Sequence, residues 1–146
     1  MADSLTGPPE PVGLYEPFTR LGELLFLSAI SSARDGTMIT GKVGRELTLD
    51  EGREAARRAA DNLLAVLALA AGGEDRIGGI LLVRGQVNAA DGFGQVHQVI
   101  DAASERIIEH LGDTGRHART AIGCATLPND NAVTLEAIAR ALPAGS

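Results

Sequence analysis

From Thr48 to Gly73 the sequence carries both ends and the buried face of one long helix, and this element constrains the fold more than any other. Thr48-Leu49-Asp50-Glu51 is a capping box: the threonine oxygen takes a free amide at the helix start, and Glu51 reaches back to the amide of the cap. Leu49, Ala56, Ala59, Leu63, Val66, Leu67 and Ala70 then recur on one side. Arg53, Arg57, Asp61 and the Glu54/Arg58 pair are expected to face water, and Gly72-Gly73 ends the helix.

The flanking sequence supplies strands. Phe18 to Leu21 and Leu24 to Ile30 are apolar runs split by Gly22-Glu23, which reads as a hairpin. Ser31 to Leu47 is rich in Gly, Ser and Thr, with Asp35-Gly36 marking a turn and Met38-Ile39 a candidate short strand. Ile77 to Val87 is a β-rich run. A second helix is expected from Asp91, with Val96, Val99, Ile100, Ala103, Ile107 and Leu111 at helical period. Two more strands follow, about Ala118 to Ala125 and Val133 to Ala141. The order ββαβαββ has too few helices to cover both faces of a sheet, so the expected class is α+β, a sheet packed on one face by two helices. Residues 1–13, with Pro8, Pro9 and Pro11, read as an extended arm, and 14–146 as a single domain.

Composition adds a limit. Hydrophobic residues are 45% of the chain but aromatics only 3%, and alanine carries much of the rest, so each element brings little apolar area and oligomerisation is expected to make up the deficit. A net charge of −6, with scattered arginines and the single lysine Lys42, offers no patch for a phosphate backbone, so no nucleic-acid partner is expected. One cysteine, Cys124, excludes an intrachain disulfide and suits a reducing compartment. The run LLAVLALAA from Leu63 is far short of the roughly 20 residues of a membrane span, and a cytoplasmic location is expected.

Chemistry concentrates at Arg119, which falls inside what reads as a buried strand. Guanidinium is always charged and presents a planar fork matched to a carboxylate, so the position points to a site for a small carboxylated molecule. The plainer reading is an ion pair, with Glu136 on the following strand as the nearest candidate. His117 shares a strand face with Arg119 by period-2 alternation, the alternative being a histidine held by backbone at the strand start. Cys124 falls on the opposite face, as a small hydrophobe. Other signals are weak. Gly36 to Lys42, GTMITGK, matches seven positions of a P-loop, but Val43 stands where a hydroxyl is needed and no helix follows. His97, His110 and His117 lack ligand-like spacing, so neither metal nor cofactor is expected. Ser31-Ser32 has no nucleophile elbow.

The segment Arg116 to Gly123 with Ala125-Thr126-Leu127-Pro128 resembles the C-terminal signature of the Rid, or YjgF, family of reactive intermediate deaminases, some of whose members are named endoribonuclease L-PSP. Val12-Gly13 with Tyr15, LLFLS, GKVG from Gly41, LTLDEG, Asn62-Leu63-Leu64, VRGQVN and Asp91-Gly92-Phe93 extend the resemblance over roughly residues 12 to 141, as a divergent branch. It implies a chorismate-mutase-like fold and a homotrimer with an inner β-barrel. Its clefts lie between subunits, Arg119 of one meeting Tyr15, Ala29 or His97 of a neighbour.

In deaminating members the arginine at the position of Arg119 binds the carboxylate of an imine or enamine, and backbone just after it, about Ala121, contacts the substrate; water attacks the imine carbon and ammonia leaves. Here the glycine after the strand serine is Ala29, the second helix's asparagine is His97, and the glutamate that positions water is Thr134. A threonine hydroxyl is no base near neutral pH, which leaves His97 or His117 to move the proton. Two functions stay open: hydrolytic deamination of a small imino acid, and a trimer that binds small carboxylates without that reaction. The ribonuclease role is disfavoured by the acidic charge.

Overall fold

The computed structural model describes residues 7–11 and 13–145; residues 1–6 and Val12 of the expected arm lie outside them, as does Ser146. Five strands and two long helices follow in the expected order. These are β1 (Phe18–Leu21), β2 (Leu24–Ser31), α1 (Leu49–Ala71), β3 (Ile77–Asn88), α2 (Val96–Leu111), β4 (Ala118–Cys124) and β5 (Val133–Ala141). Residues 7–11 and 13–17 contribute to no helix or strand. The expected helix start at Asp91 is corrected to Val96: Gly92, at φ 79°, sits in a turn closed by the Phe93 amide on the Ala90 carbonyl. Between Ser31 and Leu47 the backbone makes only isolated bridges, and no strand forms at Met38-Ile39.

The capping box at α1 forms as written: the Glu51 amide donates to Thr48 Oγ1 at 3.1 Å, and the Thr48 amide to Glu51 Oε1 at 3.0 Å. Gly72 closes the helix at φ 90°, a left-handed turn that glycine adopts without a steric penalty.

The sheet order is β1-β2-β5-β3-β4. All neighbours are antiparallel except β3 and β4, which are joined through α2 and run parallel. Alternate residues of β5 are buried, Val133, Leu135, Ala137, Ala139 and Ala141, and they meet the apolar face of α1, while α2 packs on β3 and β4 on the same side of the sheet. The layer is thin because its contacts are small. Ala55, Ala56, Ala59, Ala102 and Ala103 are all fully buried, and a Cβ on Gly85 would lie 2.5 Å from Ile100 of α2. The other face of the sheet is open and exposes Leu24, Phe26 and Ile122.

Two side chains expected to face water are drawn into the helix–helix seam instead. Asp61 accepts from Arg106 Nε at 2.6 Å, and Arg53 reaches the Gln98 carbonyl and Glu105 on α2.

Candidate functional site

A single chain holds the expected site residues in two groups. The first gathers where α2 passes β4. Arg119 projects on the helix side of the sheet, its side chain 23% exposed, and Nη1 donates to Asp101 Oδ1 at 2.7 Å and to Ser104 Oγ at 3.2 Å. Nη2 has a longer contact, 3.4 Å, to the His97 carbonyl. Two expectations are thereby corrected. The carboxylate beside Arg119 is Asp101 and not Glu136, because β3 lies between β4 and β5; and β4 is an edge strand of alternating exposure and not a buried one. His97, expected from a neighbouring subunit, lies beside Arg119 of its own chain, with its residue exposed.

His117 joins this group through Ser104. Its Nδ1 donates to the Gly115 carbonyl at 2.6 Å, and its Nε2 lies 2.9 Å from the Ser104 hydroxyl, which can donate to it when the ring is neutral. Burial pushes its pKa below the usual histidine value; the Gly115 hydrogen bond opposes this, and the positive charge of Arg119 adds a smaller lowering. The backbone contact weighed from sequence is present, at the Gly115 carbonyl, and Ser104 links the ring to Arg119.

The second group lines a cavity of about 540 Å³ between the end of β2, the segment before β1, and β5. Tyr15, Ala29, Ser31, Thr134 and Glu136 contribute to its wall, with Met38 and four prolines. A bulge shapes it. Leu27 pairs with Ala137 and Ile30 with Leu135, so Ser28 and Ala29 together oppose Glu136. The Ser28 hydroxyl turns away to the Glu16 carbonyl at 2.6 Å. The end of β2 is pinned by the fully buried Asn62, whose Nδ2 donates to the carbonyls of Ser31 and Ala33 at 2.8 and 2.9 Å, while Arg34 donates twice to its Oδ1. Asn62 stood in the sequence as part of a family motif; its role as a bracket was not read from it.

Thr134 Oγ1 donates to Gln86 Oε1 at 2.8 Å, and Gln86 Nε2 donates to Glu136 Oε1 at 3.4 Å. Neither Gln86 nor Glu136 was assigned to the site from sequence. The signal was period-2 alternation, which puts Thr134 and Glu136 on one face of β5. Ala121 lies one residue beyond Thr120 on β4, whose outer edge has no strand partner among the described residues. Lys42, the would-be P-loop lysine, is tied to Asn88 Oδ1 at 2.9 Å and to the Ala125 carbonyl, so it braces a loop. Among the described residues no cluster of three His, Cys, Asp or Glu side chains forms, and no helix is long and apolar enough to cross a membrane.

A profile of the YjgF/chorismate mutase-like family matches residues 5–140, almost the whole described chain. The chain belongs to that family. Protein TCP17 of Trypanosoma cruzi is 33% identical over 130 residues, covering 88% of this chain and 81% of that protein. The crystal structure of Atu1372 from Agrobacterium tumefaciens superposes with a TM-score of 0.85 at 37% identity, covering 90% of this chain and 85% of the other. TdcF from E. coli, solved with bound serine, shares the fold at a TM-score of 0.69 and 20% identity, covering 95% and 98% of the two chains.

Proposed function

We propose that this YjgF-family chain binds a small carboxylate-bearing imine or enamine in a cleft between two copies of itself, and promotes its hydrolysis to a keto acid and ammonia. The observation that carries this reading is the separation of the two groups. The cavity beside Tyr15, Ala29 and Thr134 has polar groups but no Arg, Lys or His among its described lining residues, whereas the fork that suits a carboxylate sits with Asp101 at the opposite edge of the sheet. Each half supplies what the other lacks. Joining two different surfaces head to tail generates a ring, and a homotrimer is the smallest ring consistent with the family resemblance. The unpartnered edge of β4 and the exposed Leu24, Phe26 and Ile122 on the open face supply surface for that contact. The ligand class is supported by serine, a small carboxylate, in the structure of TdcF.

A second reading, binding without turnover, is favoured by one observation: Thr134 has no acidic proton to exchange near neutral pH, and its hydroxyl is already given to Gln86. One set of measurements separates the two. Light scattering reads the assembly, and a monodisperse monomer at micromolar concentration overturns the shared cleft. Ammonia and keto-acid release from freshly generated imino acids, compared with buffer alone, reads the reaction. Thr134→Glu is expected to raise that rate at least tenfold, a small part of what a positioned acid or base contributes. If neither wild type nor Thr134→Glu exceeds buffer while both bind the same carboxylates, the chain is a binder. Mixed assemblies of Arg119→Ala with Ala29→Trp, each inactive alone, are expected to regain activity, because only a site shared between copies can be rebuilt from two defective chains.

A further inference from the structure

The open face of the sheet is apolar at Leu24, Phe26 and Ile122, yet β3 and β5 cross it with a run of four polar side chains. Arg84 pairs with Glu136 and Gln86 with Thr134 in the antiparallel register, so all four project on one side. Thr134 donates to Gln86 Oε1, Gln86 Nε2 donates to Glu136 Oε1, and Arg84 Nη1 lies 4.0 Å from the same Glu136 oxygen. Glu136 Oε1 thus carries both contacts, and Oε2 has no hydrogen-bond partner among the described residues. The bulge at Ser28-Ala29 keeps β2 from supplying one: the Ser28 hydroxyl is turned to Glu16, and Ala29 has nothing to donate from its side chain. Glu136 is therefore a carboxylate held by one oxygen, with the other free beside the cavity that it lines.

We infer that Glu136 moves the protons of the hydrolysis. The inference rests on the deaminase reading above and deepens it. Water bound to Oε2 adds its oxygen to the imine carbon as the C=N π pair passes to nitrogen; Glu136 takes one proton of that water and delivers it to the nitrogen, giving the carbinolamine. Glu136 then takes the carbinolamine hydroxyl proton as the C=O bond forms and passes it to the nitrogen as the C–N bond breaks, so that imine and water become keto acid and ammonia with nothing left over. The Thr134–Gln86 bond acts behind it, fixing the Gln86 amide so that Nε2 faces Glu136. The other groups in place are less suited. Both His117 nitrogens are engaged, and Glu10, also on the cavity wall, sits on the segment before β1 with no hydrogen bond among the described residues.

The test compares Glu136→Gln, Glu136→Asp and Glu10→Gln with wild type for ammonia release across pH, for pyruvate affinity by calorimetry, and for assembly by light scattering. Glu136→Gln is expected to lower turnover by about 10²- to 10⁴-fold, remove the acid limb of the pH–rate profile, and leave pyruvate affinity and assembly within twofold of wild type. Glu136→Asp recovers part of the rate, and Glu10→Gln changes little. Turnover of Glu136→Gln within threefold of wild type overturns the assignment while leaving the deaminase reading intact. Loss of turnover together with pyruvate binding or assembly overturns it too, because Glu136 is then a structural partner of Arg84. A wild-type rate no faster than buffer, with pyruvate still bound, ends the deaminase reading and the assignment with it.

Discussion

Arg106 and Arg119 each pair with an aspartate against α2, and the two pairs are built for different ends. Arg106 lies in the seam between α1 and α2 with its side chain 9% exposed, bound through Nε to Asp61 at 2.6 Å and lying 3.8 Å from Glu109. Its Nη1 is buried without a hydrogen bond among the described residues. Arg119 is 23% exposed and its partner Asp101 is 45% exposed; both good contacts fall on Nη1, and Nη2 has only a long one. The presence of an ion pair therefore says little about an arginine's role. What separates the two is whether solvent, and hence a ligand, can reach the remaining donors of the fork.

The sharpest break in the comparison is in stability. Arg106→Ala leaves Asp61 unpaired beside the helix seam, and the cost is expected near 3 kcal/mol, the low end for a broken buried pair because Asp61 keeps some contact with water. Arg119→Ala is expected to cost under about 1 kcal/mol, as exposed pairs do. Urea unfolding of the two variants measures the difference directly, and equal losses would show Arg119 to be as structural as Arg106.

Next in size is ligand affinity. Arg119→Lys keeps the charge but loses the fork, so binding of a small carboxylate such as pyruvate should weaken by about 1.5 to 3 kcal/mol. Arg106→Lys should leave it unchanged wherever the protein stays folded. If Arg119→Lys and Arg119→Ala both bind like wild type in calorimetry, the ligand role of Arg119 is wrong. Asp101→Asn is a smaller and opposite change. It keeps a hydrogen-bond acceptor for Nη1 but removes a negative charge that competes with the ligand, so affinity should rise by about 0.5 to 1 kcal/mol at low salt and less at high salt. A fall in affinity would mean that Asp101 is needed to aim the fork.

The two pairs also mark where sequence reasoning reaches and where it stops. Helix α1 was legible at both ends because its cap, its face and its glycine stop are local signals, and β5 was legible because alternate burial leaves a period of two. The start of α2 was not: Asp91-Gly92 has the composition of a helix entry but folds as a turn, and the periodic residues begin only at Val96. The carboxylate beside Arg119 was sought on the next strand in sequence, whereas it is Asp101 of α2. Sheet order is a non-local property, and the parallel β3–β4 pairing sets β5 two strands away from Arg119 and brings α2 over it. Asp101 and Ser104 were visible as polar residues three apart in an apolar helix, a spacing that puts them on one face. Glu136 and Gln86 are joined across β5 and β3 at a register that irregularities between Ile77 and Gly79 and between Ile80 and Leu82 displace, and no local pattern records that.

The smallest expected effect tests the wiring behind Arg119. Native His117 holds its proton less readily than the same residue in an unfolded chain, through burial first and then through the charge of Arg119. Between the lowered native pKa and the unfolded value near 6.5, the unfolded chain binds more protons, so stability increases with pH across that window. The contribution of neutral His117 is thus fully present above about pH 6.5 and is lost as pH falls through its native value. Urea midpoints measured from pH 7.5 to 5 should decline for wild type, and less steeply for His117→Gln, which cannot take up a proton. Arg119→Ala removes one cause of the shift and should move the His117 titration, followed by NMR, part of the way back toward 6.5. A His117 resonance that titrates at or above 6.5 in wild type would mean that burial and the charge of Arg119 do not disfavour the charged ring, and the link from Arg119 through Ser104 to His117 would have to be redrawn.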